Sequence, residues 1–168
     1  GMVGVYEYNG GSWYLLGGTI NGDLVTNDQW VSLSYDGSRV AIGSPYSNGG
    51  GIGKGSVSIY EYAGTSWRIV DSVINGDEKN EASGYSVSLS YDGSRVAIGA
   101  PNSDGDGSDK GRVGVYGLVG TSWALLGNKI YGDYDDNYSG RSVSLSPDGS
   151  RVAIGSPYSN GGGIGKGS

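Results

Sequence analysis

The stretch Ser86-Val87-Ser88-Leu89-Ser90-Tyr91-Asp92-Gly93-Ser94-Arg95-Val96-Ala97-Ile98-Gly99-Ala100-Pro101 decides how the rest of the chain is read. Ser86 to Ser90 alternates small polar and apolar residues at period two, the pattern of a β-strand with two unlike faces. Arg95 to Gly99 alternates again. Between them Tyr91-Asp92-Gly93-Ser94 predicts a tight hairpin, because an Asp-Gly pair supplies the positive φ that such turns require.

Working outward, the same stretch recurs. The string VSLS begins at Val31, Val87 and Val143, two steps of 56 residues, and Trp67 and Trp123 are also 56 apart. Trp13 and Trp67 are 54 apart, so the first copy is two residues shorter in the loop after Gly22-Asp23. Residues 31–56 and 143–168 differ at one position only, Tyr35 against Pro147. Such identity implies recent duplication or deliberate copying, hence a fragment or an engineered array of near-identical units. A period of this length marks a repeat architecture. The units run over 3–56, 57–112 and 113–168 within a single repeat domain.

Each unit predicts four short antiparallel strands, a to d. After strand b, a glycine-rich loop (Asn102 to Gly111) leads to strand c, Arg112 to Leu118. Gly120-Thr121 then turns into strand d, Trp123 to Ile130. In strand c of another unit, Val57 and Ile59 share one face while Tyr60 and Tyr62 share the other. Both faces are largely apolar, so each small sheet needs a neighbour on either side, as a propeller blade does. No helical period occurs, and the predicted fold class is all-β.

Composition narrows the chemistry. The 168 residues contain 35 glycines, 4 prolines, no cysteine and no histidine. The glycines fall between apolar stretches and read as turn residues. Without histidine or cysteine, no Ser–His–Asp or Cys–His nucleophile and no ordinary zinc site can be built. No disulfide can form, so the redox compartment stays open. A net charge of −6 argues against nucleic acid and anionic membranes as partners. No apolar run approaches the roughly 20 residues of a membrane span. The opening Gly1-Met2-Val3 has neither the charged region nor the apolar core of a signal peptide.

These residues resemble the FG-GAP repeats of integrin-α-type β-propellers. The resemblance lies in Gly84-Tyr85-Ser86-Val87-Ser88-Leu89-Ser90, then Val96-Ala97-Ile98-Gly99-Ala100-Pro101, then Gly111-Arg112-Val113-Gly114-Val115-Tyr116. All three units share it, although two read Gly-Ser-Pro (Gly43-Ser44-Pro45 and Gly155-Ser156-Pro157). The family's aromatic-glycine pair appears reversed at Gly84-Tyr85 and as Gly140-Arg141 in the third copy. The resemblance implies an extracellular or cell-surface setting if the chain is natural. The family's calcium loop between strands a and b does not carry over, since Tyr-Asp-Gly-Ser is too short to wrap an ion.

The strand order along the chain is c-d, a-b-c-d, a-b-c-d, a-b, which is three blades with one of them split. Propellers usually have about four to eight blades. Three cannot surround a channel, whereas two chains supply six, so a C2 homodimer closing a six-bladed ring is expected. The rival expectation is a three-fold monomer such as a β-trefoil or β-prism.

Candidate sites follow, each beside a plainer reading. Gly49 to Ser56 superficially resembles a phosphate loop, but Gly55 interrupts the Gly-Lys-Ser order and a strand follows instead of a helix. Asp104, Asp106 and Asp109 place oxygen ligands at near-alternate positions, as calcium loops do, without the downstream bidentate Glu. Asp133, Asp135 and Asp136 form a second acidic cluster. Trp13, Trp67 and Trp123 recur at the start of strand d, where they could stack a glycan or anchor neighbouring blades. Trp30, which stands where the other copies have Ser86 and Ser142, is a further candidate ligand-binding residue, or fills the space left by the shortened loop. Asn137-Tyr138-Ser139 fits the glycosylation triplet. The leading expectation is a non-catalytic, self-assembling scaffold that needs no cofactor. The alternative is a glycan- or protein-binding module assisted by calcium.

Overall fold

The computed structural model describes residues 1–21, 28–48 and 50–158. All of its regular structure is β, and no helix occurs among the described residues. Among the described residues, fourteen strands form four antiparallel sheets.

The first sheet pairs β1 (Met2–Asn9) with β2 (Ser12–Asn21). The second has the order β3 (Trp30–Leu33), β4 (Arg39–Ser44), β5 (Ser56–Tyr62), β6 (Trp67–Ile69), and β7 (Ile74–Asn75) also pairs with β5. The third repeats this with β8 (Ser86–Leu89), β9 (Arg95–Ala100), β10 (Arg112–Val119), β11 (Ser122–Leu125) and β12 (Ile130–Tyr131), the last pairing with β10. The fourth pairs β13 (Ser142–Leu145) with β14 (Val152–Gly155). Strands a, b and c therefore fall where the alternation predicts them.

Strand d does not run unbroken in the two full sheets. It splits at Val70-Asp71 and at Leu126-Gly127, where Asp71 and Gly127 take φ of 65° and 68°. The left-handed residue interrupts the ladder there, and each strand resumes as a two-residue pairing with strand c, whereas β2 passes the left-handed Gly17 and Gly18 as one strand with a register shift.

The a–b hairpins show why their sequence is so constant. Ser90 N–H donates to the Arg95 carbonyl (2.9 Å) and Gly93 N–H to the Ser90 carbonyl (3.1 Å). The Asp92 carboxylate accepts from the Ser90 hydroxyl (3.0 Å) and the Ser94 N–H (2.9 Å). Gly93 takes φ 64°, which its lack of a side chain makes inexpensive. Asp36 and Asp148 repeat the arrangement. Donated hydrogen bonds stabilise the ionised form. The Ser94 backbone and hydroxyl hold Asp92 below the usual carboxylate range, and the Ser146 hydroxyl with Ser150 does so for Asp148.

Successive sheets pack face to face through one recurring apolar set. Between the second and third sheets it is Ala41, Val57, Ile59, Leu89, Val96 and Ile98, all buried. Between the third and fourth it is Ala97, Val113, Val115, Leu145, Val152 and Ile154. Side chains also tie each sheet to the next. Leu89 N–H donates to the Ser32 hydroxyl (3.0 Å), and Leu145 N–H to the Ser88 hydroxyl (2.9 Å). Arg39 Nη1 donates to the Gly93 carbonyl (3.3 Å) and Arg95 Nη1 to the Gly149 carbonyl (2.9 Å). Val57 and Ile59 face one neighbouring sheet while Tyr60 packs against the core on the other side, so both faces of strand c are covered.

Candidate assembly surface

Residues that are identical in sequence differ sharply in burial, and the difference picks out one region. Leu33, Leu89 and Leu145 hold the same place in the three VSLS strands, yet they are 48%, 7% and 9% exposed. Leu89 and Leu145 each lie under the preceding sheet. Leu33 has only the first sheet before it, and that sheet contains strands c and d alone. Val31 is exposed for the same reason. A groove of about 160 Å³ opens there, lined by Val3, Gly4, Val5, Tyr6, Val31, Leu33 and Val40.

The opposite end shows the complementary deficit. Ala41 and Ala97 are wholly buried, whereas Ala153, their counterpart on β14, is exposed. Among the described residues, β14 pairs only with β13 and β1 only with β2. The counterparts of these strands in the full sheets, β5 and β10 for β1 and β4 and β9 for β14, are paired along both edges, so β1 and β14 each lack one ladder partner that the repeat otherwise supplies.

The three repeated tryptophans fall into the same scheme. Trp67 Nε1 donates to the Leu16 carbonyl of the preceding sheet (2.8 Å), and Trp123 Nε1 to the Val70 carbonyl (3.2 Å). Both indoles are half-buried and anchor one sheet to the next. Trp13 has no preceding sheet within the chain and is 67% exposed. Trp30 is half-buried and stacks on Tyr85 with ring centroids 4.9 Å apart, while the Arg141 guanidinium lies 5.2 Å from the Tyr85 ring.

The acidic loops are occupied by their own chain. Asp104 Oδ1 accepts from Asp109 N–H (3.1 Å), Asp106 from Lys110 Nζ (2.6 Å), and Asp135 from Ser108 N–H (3.2 Å). Lys110 holds the Asp106 carboxyl below its usual range. Asp104, Asp106 and Asp109 are not gathered around a common point, and no group of three or more acidic residues among the described ones could hold a metal ion. The Asp104 and Asp106 carboxylates are spent on closing the loop, which the residue spacing alone does not reveal. Part of the Gly49 to Ser56 connector lies outside the described residues; β5 follows it, as expected. Asn137 of the glycosylation triplet is buried, its side-chain amide lying beside the Tyr134 and Asp133 N–H groups, so it presents no acceptor for a glycan.

One polar cluster has no counterpart in the other repeats and escapes sequence reading. Glu81 is fully buried and Arg112 is 2% exposed. They form a two-pronged pair, Arg112 Nε to Glu81 Oε2 at 3.0 Å and Arg112 Nη2 to Glu81 Oε1 at 2.7 Å. Arg112 Nη2 also meets Asp77 at 2.9 Å, and Lys129 donates to Asp77. Burial pushes the Glu81 carboxyl up, against the opposing pull of Arg112. The repeat position of Glu81 is occupied by Asn137 in the next copy, and that of Arg112 by Ser56 in the preceding one. That departure from the repeat is the signal in the sequence. The pair locks the loop before β8 to the start of β10.

The chain matches no family model and no curated protein.

Proposed function

We propose that this chain is a non-catalytic assembly module. Two copies close into a ring of six four-stranded sheets, a β-propeller, in which each copy supplies the strands that the other's half-sheets lack. The observation that carries this reading is the pair of half-sheets: β1–β2 occupies the place of strands c and d, and β13–β14 the place of a and b. The exposed Leu33 supports it, since its two sequence-identical counterparts are buried by sheets that this end of the chain does not contain. The resemblance of the repeat to FG-GAP blades supports the propeller form. Exchange of strands between copies also removes two open sheet edges, which would otherwise template uncontrolled pairing.

Native mass spectrometry at micromolar concentration tests the reading. One chain weighs 17.2 kDa, so the ring requires a particle of twice that, 34.4 kDa. A particle of 17.2 kDa at every concentration overturns it.

A further inference from the structure

We infer that the surface of β3 and β1 docks one specific part of a second copy of this chain, with Ala153 of that copy as the missing core residue. The inference rests on the ring proposed above and gives its junction an atomic identity.

Each complete junction between sheets contains the same six positions. They are an alanine from strand b and two apolar residues from strand c of one sheet, then a leucine from strand a and two apolar residues from strand b of the next. The first junction in the chain has Val3 and Val5 from strand c, Leu33 from strand a, and Val40 and Ile42 from strand b. Five of the six are present and only the alanine is absent. Of the three alanines at this repeat position of strand b, Ala41 and Ala97 are completely buried and Ala153 alone is exposed. The missing position and the unplaced residue therefore have the same identity.

The polar ties agree with this assignment. Shifting the Ser32–Leu89 and Ser88–Leu145 bonds by one repeat makes Leu33 N–H donate to Ser144 of the second copy. Shifting the Trp67 and Trp123 bonds makes Trp13 Nε1 donate to the second copy's Leu126 carbonyl. Shifting the two arginine ties makes Arg151 donate to the Gly37 carbonyl. Ser144, Trp13 and Arg151 are all exposed in the single chain. The two-fold relation makes the junction occur twice per ring.

A pair of charge variants tests the junction. Ala153→Glu and Leu33→Lys each change a side chain that is exposed in the single chain, yet each would place a charge in a sealed core in the ring. Either variant alone carries the charge at both junctions, and its dimer dissociation constant should rise by about 100-fold or more. Circular dichroism should show that each keeps its β structure. An equimolar mixture should regain the two-chain species. A mixed pair sets the introduced carboxylate at position 153 opposite the introduced ammonium at position 33 in one junction, and leaves the other native. That rescue also separates a broken interface from a broken fold. If the parent is a two-chain particle and Ala153→Glu associates as tightly as the parent, this junction is wrong while the ring survives. If the mixture stays dissociated although both variants are folded, the pairing of position 153 with position 33 is overturned. A parent that is itself a single-chain particle overturns the ring.

Discussion

An Arg112→Ala variant should be about 3–5 kcal/mol less stable than the parent at neutral pH. The guanidinium is the only cation paired to Glu81 among the described residues, and Glu81 has no exposed surface. Removing Arg112 leaves a buried carboxylate whose remaining donors include the Asp77 N–H at 2.6 Å. The sign with pH follows from linkage. Without its partner the folded-state pKa of Glu81 lies further above its unfolded value of about 4.3. Below that value the group is protonated in both states and costs nothing. As pH rises from there through the folded pKa, the variant loses stability. The deficit, measured by urea denaturation, should be largest near pH 7 and should shrink toward pH 4. A loss of equal size at both pH values would mean that packing alone had been removed. Changing both residues, Glu81→Gln with Arg112→Met, should recover most of the loss, since no lone charge remains and Gln can still accept from Asp77.

Gly99→Ala is expected to cost about 3 kcal/mol, at the upper end of overpacking effects. A methyl group at Gly99 would overlap the Gly140 carbonyl oxygen, a backbone atom of the turn leading into the following sheet, and the Ser86 hydroxyl. The Ser86 hydroxyl can rotate, but it already donates to that same Gly140 carbonyl at 2.7 Å. The backbone carbonyl cannot retreat without separating the third and fourth sheets. Gly117→Ala provides the contrast, because the nearest atoms to its methyl group belong to the Leu126 side chain, which is exposed and can turn aside. Thermal melts of the two variants should differ accordingly, Gly99→Ala unfolding at the lower temperature. Equal melting would mean that the close approach at Gly99 does not limit how the sheets pack.

Much of this architecture is legible in the sequence because the local signals agree with one another. The Ser-x-Asp-Gly-Ser turns, the alternation in VSLS and the two apolar faces of Val57 to Tyr62 each point to small sheets stacked face to face, as the structure has them. The repeated tryptophans allow two readings, glycan stacking and anchoring, and in the structure the Trp67 and Trp123 indoles each hydrogen-bond the preceding sheet. What local signals lack is the identity of the neighbour. Leu33 and Leu89 sit in the same four-residue string and differ in burial because a full sheet precedes Leu89 and only a half-sheet precedes Leu33. Glu81 and Arg112 are 31 residues apart, with nothing in the spacing to pair them. The breaks in strand d fall at Asp71 and Gly127, which take left-handed backbone conformations. Asp104 and Asp106 match a ligand spacing but use their oxygens on a nearby N–H group and on Lys110. Asn137 fits a modification triplet, yet its environment buries it.

The junction between copies can be tested in a single covalent step, because the chain contains no cysteine to interfere. In the second sheet Arg39 lies opposite Glu61 across strands b and c. One repeat away, the same register places Arg151 of one copy opposite Glu7 of another. Both residues are exposed in the single chain. A Glu7→Cys, Arg151→Cys double variant should oxidise to a closed two-chain species with two bridges, since directly opposed residues bring their Cβ atoms within disulfide reach. Tyr8→Cys with Arg151→Cys, one residue out of register and on the other face, should not. Bridging within a single chain, or no bridging at all, would contradict the exchange of strands between copies.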